Sequence, residues 1–299
     1  MIPKELFRKI RQVEITTNRL VTDVFAGQYH SVFKGQGIEF DEVREYQYGD
    51  DIRRIDWNVT ARTGRVQIKK YVEERELTVM LLVDVSRSAQ FGTVHSLKSQ
   101  LAAEISALIA FSAIKNLDRV GLIVFTDTIE KFIPPRKGRR HVLHVIREIL
   151  SHQPQGRGTD IIKALEYLNR VANRRTITFL ISDFLFNQDD QLLQKNLSII
   201  NRRHDLIAIT LNDPAEQQLK SAAILALEDA EEGSRMRIDA STPLVRAQFE
   251  QNSKIRLIKR RQLFQAVGCD YIDTSTAEPF NDAFIKFFRK RRQRKSLHA

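Results

Sequence analysis

The sequence contains very little cysteine, with Cys269 as the single thiol among 299 residues. One cysteine excludes an internal disulfide framework and any zinc site that uses several cysteines. Long hydrophobic runs are absent as well, because no apolar stretch approaches the roughly 18 residues of a membrane-spanning helix. The first residues mix charged and apolar side chains and lack the hydrophobic stretch of a signal peptide. We therefore expect a cytoplasmic protein.

Positive charge is plentiful but unevenly distributed. The formal net charge is +11, and residues 286–295 contain seven basic and no acidic side chains. Such a basic segment is able to contact an anionic lipid surface, nucleic acid or an acidic protein. It is equally typical of a solvated helix end. No zinc finger, ribonucleoprotein motif or basic face with interleaved aromatics indicates nucleic acid as the main ligand.

From residue 77 onward, short apolar runs alternate with helical segments. The predicted strands are Leu77–Val85, Arg119–Phe125, Ile129–Ile133, Thr176–Ile181, Leu206–Thr210 and Asp270–Ile272. The predicted helices are Val94–Asn116, Arg140–Ser151, Asp160–Val171, Leu192–Arg203, Pro243–Ala266 and Pro279–Lys290. Ala223–Glu228 and Arg235–Ile238 are predicted to pair as a hairpin. Apolar strands separated by helices indicate an α/β fold whose mostly parallel sheet is covered on both faces.

The N-terminal quarter has a different texture. The first 26 residues are predicted to form one or two amphipathic helices, and residues 27–76 strands and turns crowded with charge. The charged residues at 50–56 form either an internal salt-bridged clamp on the sheet or a partner-binding surface. We favour the clamp, because Trp57 requires burial and Tyr46 and Tyr48 are able to pack beside it.

One acidic residue and two hydroxyls stand at the end of the first predicted strand of the sheet. Asp84, Ser86 and Ser88 form an Asp-x-Ser-x-Ser sequence directly after this apolar run. Carboxylate and hydroxyl oxygens are ligands that a hard cation such as Mg²⁺ prefers. By itself the motif is weak, since serines at a strand end often cap the following turn or helix.

Further polar residues are expected at neighbouring strand ends, because open α/β sheets bind ligands outside the carboxyl ends of their strands. Asp183 directly follows the predicted strand Thr176–Ile181 and Ser182, and Thr159 lies in a loop just before a helix. Two carboxylates placed together repel each other and raise a pKa, and a divalent cation removes that penalty. The sequence thus predicts a cation site formed by five residues: Asp84, Ser86, Ser88, Thr159 and Asp183.

Several kinds of catalytic site are disfavoured. An aspartyl-phosphate phosphatase needs a second carboxylate two residues after the first, where this chain has Ser86. The sequence has no Gly-x-Ser-x-Gly elbow and no phosphate loop of the Gly-x₄-Gly-Lys-Ser/Thr form, which argues against an α/β-hydrolase and a self-contained ATPase.

Two resemblances follow from these residues. The order Asp-x-Ser-x-Ser, Gly-Thr-Asp and Ser-Asp resembles the metal-ion-dependent adhesion site of von Willebrand factor A domains. Residues 34–62 and 69–75 are similar to the signature of the bacterial family named "domain of unknown function 58", which precedes a von Willebrand A-like domain. The resemblance implies a Rossmann-like sheet with one antiparallel edge strand, supplied by Ile129–Ile133. It divides the chain into an N-terminal helix and strand/loop elaboration (1–74), a von Willebrand factor A-like domain (75–285) and a basic tail (286–299).

The resemblance also implies a function. It suggests a non-enzymatic interaction module that binds an acidic residue of a partner through Mg²⁺ or Mn²⁺ held by the five residues. It further implies an adaptor or chaperone-like role beside a MoxR-type AAA+ ATPase. The alternative is a metal-dependent hydrolase of a phosphate-containing substrate, for which the sequence offers no identifiable nucleophile or general base.

Overall fold

The computed structural model describes residues 10–15, 17, 29, 32–33, 39–72, 76–94, 96–185, 189–221, 224–228 and 235–296. Residues 10–15 are helical, as predicted. Most of the other N-terminal residues for which helices were predicted lie outside the described residues. The same is true of positions 34–38 and 73–75 of the family signature.

Strands and helices follow the predicted alternation. The strands of the described residues are β1 (Glu39–Glu45), β2 (Gln67–Val72), β3 (Thr78–Asp84), β4 (Arg119–Phe125), β5 (Ile129–Arg136), β6 (Ile177–Ser182), β7 (Asp205–Asn212), β8 (Ile224–Glu228), β9 (Arg235–Asp239) and β10 (Asp270–Ser275). The longer helices of the same residues are α1 (Trp57–Thr63), α2 (Lys98–Lys115), α3 (Arg139–Ser151), α4 (Ile161–Val171), α5 (Asp190–Arg203), α6 (Pro243–Ala266) and α7 (Asn281–Ser296).

A six-stranded sheet in the order β10-β7-β6-β3-β4-β5 forms the centre of the fold. Its strands are parallel except β5, which runs antiparallel to β4 at one edge. The predicted α/β class and the antiparallel edge strand are therefore confirmed. The strand continues past its predicted end through Pro134 and Pro135 to Arg136, because an edge strand tolerates residues that donate no ladder hydrogen bond. The predicted hairpin is also confirmed as the antiparallel pair β8–β9.

Hydrophobic cores cover both faces of the sheet. In β3, Val79, Leu81 and Val83 face one core, and Met80 and Leu82 face the other. Helices α2, α3 and α7 pack in the first core, and α4, α5 and α6 in the second. Because successive side chains of a strand point to opposite faces, a strand with two buried faces must be apolar throughout. This is the reason for the unbroken apolar run before Asp84.

The basic C-terminal segment is only partly a solvated end. It continues α7, in which Phe287 and Phe288 are buried against the core. Arg291 forms an ion pair with Asp205 and lies 3.3 Å from Asp270, and its guanidinium stacks over the ring of Phe33 at 4.9 Å. Arg291, together with Arg294, which lies 2.5 Å from Asp270, therefore anchors the helix end to β7 and β10.

The N-terminal elaboration contains the antiparallel pair β1–β2 and the short helix α1. Two of its carboxylates are paired internally: Arg44 donates two hydrogen bonds of 2.7 and 2.8 Å to Asp50, and Asp56 caps α1 and lies 3.4 Å from Lys69. The expected burial of Trp57 is wrong. Its side chain is 66% exposed and α1 buries none of its residues, because a two-stranded sheet offers a helix too little apolar surface to bury a large ring.

Candidate metal centre

The carboxyl ends of β3 and β6 lie side by side in the middle of the sheet. Asp84 is the last residue of β3, and Asp183 directly follows β6. From β3 the chain runs outward through β4 to β5 and then returns to β6 on the other side of β3. The strand order therefore reverses between β3 and β6, and in open α/β sheets this point is where ligands bind. The structure places the two predicted carboxylates at that crevice.

The loop after β3 forms a buried set of oxygens. Asp84 accepts a hydrogen bond of 2.9 Å from the backbone N–H of Ser86 and one of 2.6 Å from the Ser182 hydroxyl. The hydroxyl oxygens of Ser86 and Ser88 lie 3.0 Å apart. All of these side chains are buried. The Asp-x-Ser-x-Ser sequence thus brings its three oxygen-bearing side chains together, as predicted.

Thr159 lies on a loop that packs beside this one. The loops are joined by the backbone N–H of Arg87, which donates to the carbonyl of Arg157 at 3.3 Å. Gly156 suits this position, since a Cβ would lie 2.2 Å from the hydroxyl oxygen and 2.9 Å from the Cβ of the buried Thr126. The Thr159 hydroxyl is buried and has no hydrogen-bond partner among the described residues. Because buried polar groups are nearly always satisfied, an orphaned hydroxyl requires an explanation, and a bound ion is one that fits this position.

The ammonium group of a buried lysine lies beside Asp183. The ammonium of Lys98, the first residue of α2, lies 2.8 Å from Asp183 Oδ2 and also contacts the carboxylate of Glu216. The Lys98 side chain is completely buried. Sequence reasoning missed both Lys98 and Glu216, because a lysine that opens a helix is an ordinary surface residue by pattern. Only the folding of distant segments makes it part of the site.

The backbone around Asp183 is tightly constrained. Phe184 has a φ of +55°, in the left-handed region that bulky residues rarely adopt. Its N–H donates to the Ser182 hydroxyl at 3.0 Å, and its ring packs edge-on against Phe264 at 5.1 Å. Arg260 of α6 donates to the carbonyl of Asp183 at 2.9 Å. A bulky residue held in this conformation is typical of a functional turn.

Burial and neighbouring charges shift the pKa values of Asp84, Lys98 and Glu216. Burial raises the pKa of Asp84 to about 7, and the charge of Asp183 adds to this shift. Burial by itself lowers the pKa of Lys98, but the charges of Asp183 and Glu216 more than offset it, so that this pKa is raised. Burial also raises the pKa of Glu216. The electrostatics of the site thus favour an additional positive charge near Asp84.

The available donors fit a hard divalent cation. No group of three or more His, Cys, Asp or Glu side chains suited to a metal occurs in the part of the chain that the structure describes. A cation at this crevice would therefore need hydroxyl oxygens beside the two carboxylates. Ser86, Ser88 and Thr159 supply such oxygens, and Mg²⁺ and Mn²⁺ are the ions that this mixture suits. The orphaned hydroxyl of Thr159 and the adjacent carboxylates are the observations that support the fit.

Relatives of this chain are found in mycobacteria. The uncharacterized protein Mb1516 of Mycobacterium bovis is 30% identical over 291 residues, which cover 97% of this chain and 90% of that protein. The uncharacterized protein Rv1480 of Mycobacterium tuberculosis matches with the same identity and coverage.

Among solved structures, the conserved hypothetical protein BatB from Bacteroides thetaiotaomicron is 12% identical, with a TM-score of 0.48 over 73% of this chain and 99% of that one. The SpRpn10 VWA domain is 10% identical, with a TM-score of 0.42 over 70% of this chain and 94% of that one.

A family model with the description "Protein of unknown function DUF58" matches residues 42–256. These residues include the N-terminal elaboration from β1 onward, all five predicted cation ligands and most of the central sheet. The chain therefore belongs to the DUF58 family.

Proposed function

We propose that the chain is a protein-interaction module that binds a carboxylate of a partner protein through a divalent cation, Mg²⁺ or Mn²⁺. The observation that carries the proposal is the orphaned, buried hydroxyl of Thr159 at the same sheet edge as Asp84 and Asp183. The hydroxyls of Ser86, Ser88 and Thr159 would bind the ion directly. Asp84 and Asp183 would bind it directly or through water, in keeping with the family resemblance.

The bound cation would serve as a Lewis-acidic bridge to the partner's side chain. The residues of this chain provide the rigid half of that bridge: the Ser182 hydroxyl and the Ser86 N–H orient Asp84, and the bond from Arg260 fixes the backbone of Asp183. A preorganised site of this kind binds without the cost of ordering its side chains. We further propose, on the family resemblance, that the partner is a MoxR-type AAA+ ATPase.

The cytoplasmic location stays a prediction. Among the described residues, no helix combines the length and apolar character required to cross a membrane.

The test of the site is calorimetric titration of MgCl₂ and MnCl₂ into wild type and Thr159→Val. Valine preserves the shape of threonine and removes only the hydroxyl. Because that hydroxyl has no partner among the described residues, its loss is expected to leave the metal-free protein as stable or more stable. The affinity for Mg²⁺ should fall at least about tenfold, equivalent to about 1.4 kcal/mol.

Thr178→Val is the matched control. Thr178 is also buried, but its hydroxyl lies 2.9 Å from that of Thr176 at the opposite end of β6. This control should lose stability and keep its affinity for Mg²⁺. Equal Mg²⁺ affinity in wild type and Thr159→Val, or no binding to wild type, would contradict the proposed site.

The partner is tested by affinity purification from the native host in Mg²⁺ and in EDTA, followed by mass spectrometry. A MoxR-type ATPase should be recovered with wild type in Mg²⁺ and lost both in EDTA and with Thr159→Val. Recovery that is indifferent to metal and to the substitution would show that any such complex uses another surface.

A further inference from the structure

Lys98 is a fully buried cation in an unfavourable position. It is the first residue of α2, and the N-terminus of a helix repels positive charge. Its only charged contacts among the described residues are Asp183, at 2.8 Å, and Glu216. The ammonium is therefore held in place by two carboxylates, one of which belongs to the proposed cation site.

Glu216 is held rigidly in this arrangement. The short helical turn Pro214–Glu216 is anchored through Asp213, which is buried and accepts hydrogen bonds from Thr93 N–H at 2.9 Å and from the Thr276 hydroxyl at 2.6 Å. The Glu216 carboxylate in turn accepts a bond of 3.3 Å from the backbone N–H of Asp213. Its side chain is 22% exposed, whereas that of Asp183 is 2% exposed. Lys98 thus has a second fixed carboxylate outside the proposed ligand set.

We propose that Lys98 is the resident counter-ion of Asp183 and competes with the divalent cation for it. Entry of the cation breaks the contact between Lys98 and Asp183, and Glu216 then keeps the ammonium paired. This inference rests on the proposed cation site and adds a determinant of its affinity.

Removal of the Lys98 charge and removal of the Glu216 charge are expected to change the affinity for Mg²⁺ in opposite directions. Removing the lysine charge frees Asp183, so that Mg²⁺ binds more tightly. Removing the Glu216 charge leaves Lys98 with Asp183 alone, so that Mg²⁺ binds more weakly. In an exchange mechanism Glu216 acts only through Lys98. In a mechanism of simple long-range attraction, each charge acts on the cation independently.

The experiment is titration calorimetry with MgCl₂ on wild type, Lys98→Met, Glu216→Gln and the double variant. Unit charges about 4 Å apart interact strongly even at the intermediate effective dielectric constant of a protein. Loss of the Lys98 charge should therefore allow Lys98→Met to bind Mg²⁺ at least about tenfold more tightly than wild type. Glu216→Gln should bind several-fold more weakly. The double variant should match Lys98→Met within about twofold, because the effect of Glu216 disappears with the lysine. Lys115→Met, an exposed lysine at the other end of α2, is the control and should match wild type.

Three results decide against the inference. If wild type and Lys98→Met bind Mg²⁺ equally, Lys98 does not compete, while the proposed site stands. If Glu216→Gln has the same effect in both backgrounds, the charges act independently and the exchange is refuted. If wild type does not bind Mg²⁺, the proposed site itself fails.

Lys98→Met leaves two carboxylates without their cation, so its folding is followed by circular dichroism with and without MgCl₂. A variant that folds only in Mg²⁺ supports the competition. If it folds in neither condition, Glu216→Gln supplies the remaining test, because this variant keeps the Lys98–Asp183 pair. Unchanged Mg²⁺ affinity in Glu216→Gln then overturns the inference.

Discussion

Replacing Asp84 by asparagine is expected to stabilise the protein when no divalent cation is present. The Asp84 carboxyl is buried beside Asp183, and its pKa is raised from 3.8 to about 7. Each unit of difference between folded and unfolded pKa corresponds to about 1.4 kcal/mol, so the charge costs the folded state up to about 4 kcal/mol. Asparagine has nearly the same shape, and its amide is able to bond with both Ser86 and Ser182. We expect the free energy of unfolding to rise by about 1–4 kcal/mol.

The direction of the Asp84 pKa shift determines how the stabilisation by Asp84→Asn depends on pH. A folded pKa above the unfolded one means that the folded wild type takes up a proton first as the pH falls. The gain from Asp84→Asn should therefore be complete above about pH 7 and decline as the pH falls toward 3.8, below which the wild-type carboxyl is mainly neutral in both states.

Mg²⁺ should reduce or reverse the stability advantage of Asp84→Asn. A ligand present at about 100 times its dissociation constant stabilises the folded state by about 2.7 kcal/mol. Wild type should gain this stability, whereas Asp84→Asn should gain little, because it lacks one of the two carboxylates. The assay is urea denaturation followed by circular dichroism, in EDTA and in MgCl₂ at pH 8.

Asp190→Asn serves as the control, since Asp190 is exposed at the start of α5. It should behave as wild type in both conditions. The reasoning is refuted if Asp84→Asn loses more than about 1 kcal/mol of stability in EDTA, since the carboxylate would then be structurally required. Equal stabilisation of Asp84→Asn and wild type by Mg²⁺ would remove Asp84 from the cation site.

Three further predictions concern the rest of the molecule. His204 is buried, and its pKa is lowered to about 4, mainly by burial. The free energy of unfolding should therefore fall by at most about 3 kcal/mol as the pH drops from 6.5 to 4. In urea titrations, this decline should be absent from His204→Asn, which retains an acceptor for the Thr176 N–H. The Cys269 thiol is buried with its pKa raised to about 12, so a thiol reagent should label it only in denaturant, and rapid labelling of the native protein would contradict its burial. Trp57, the single tryptophan, should show the emission of a water-exposed indole and be quenched by iodide before and after unfolding, and a blue-shifted native spectrum would show that it is covered.

The central sheet was predictable because its strands are buried on both faces. Such strands carry an apolar run that is visible in the sequence, as in residues 79–83 and 179–181. Strand ends were less predictable, as Pro134 and Pro135 show. Proline usually ends a strand, and only the position of β5 at the sheet edge makes it tolerable there.

The N-terminal elaboration and the C-terminal helix show where residue type misleads. Trp57 is large and apolar, and burial is the ordinary expectation, but α1 has no buried residue and the Trp57 side chain is 66% exposed. Arg291 belongs to a run of basic residues typical of a solvated end, yet it is paired with two carboxylates beside β7 and β10. In both cases the surroundings of the side chain depend on how other segments fold, which residue type does not reveal.

The sequence by itself determined the α/β architecture and the local cluster of Asp84, Ser86 and Ser88, since residues so close in the chain share one turn. The rule that ligands bind at the carboxyl ends of the strands extended this prediction to Asp183 and Thr159. Only the tertiary structure decided that the buried ammonium group of Lys98 lies beside Asp183. Lys98 is 85 residues from Asp183 and 118 from Glu216, and no periodicity links such distant positions. They come into contact because the first residue of α2 and the turn Pro214–Glu216 after β7 both lie near the carboxyl ends of the central strands.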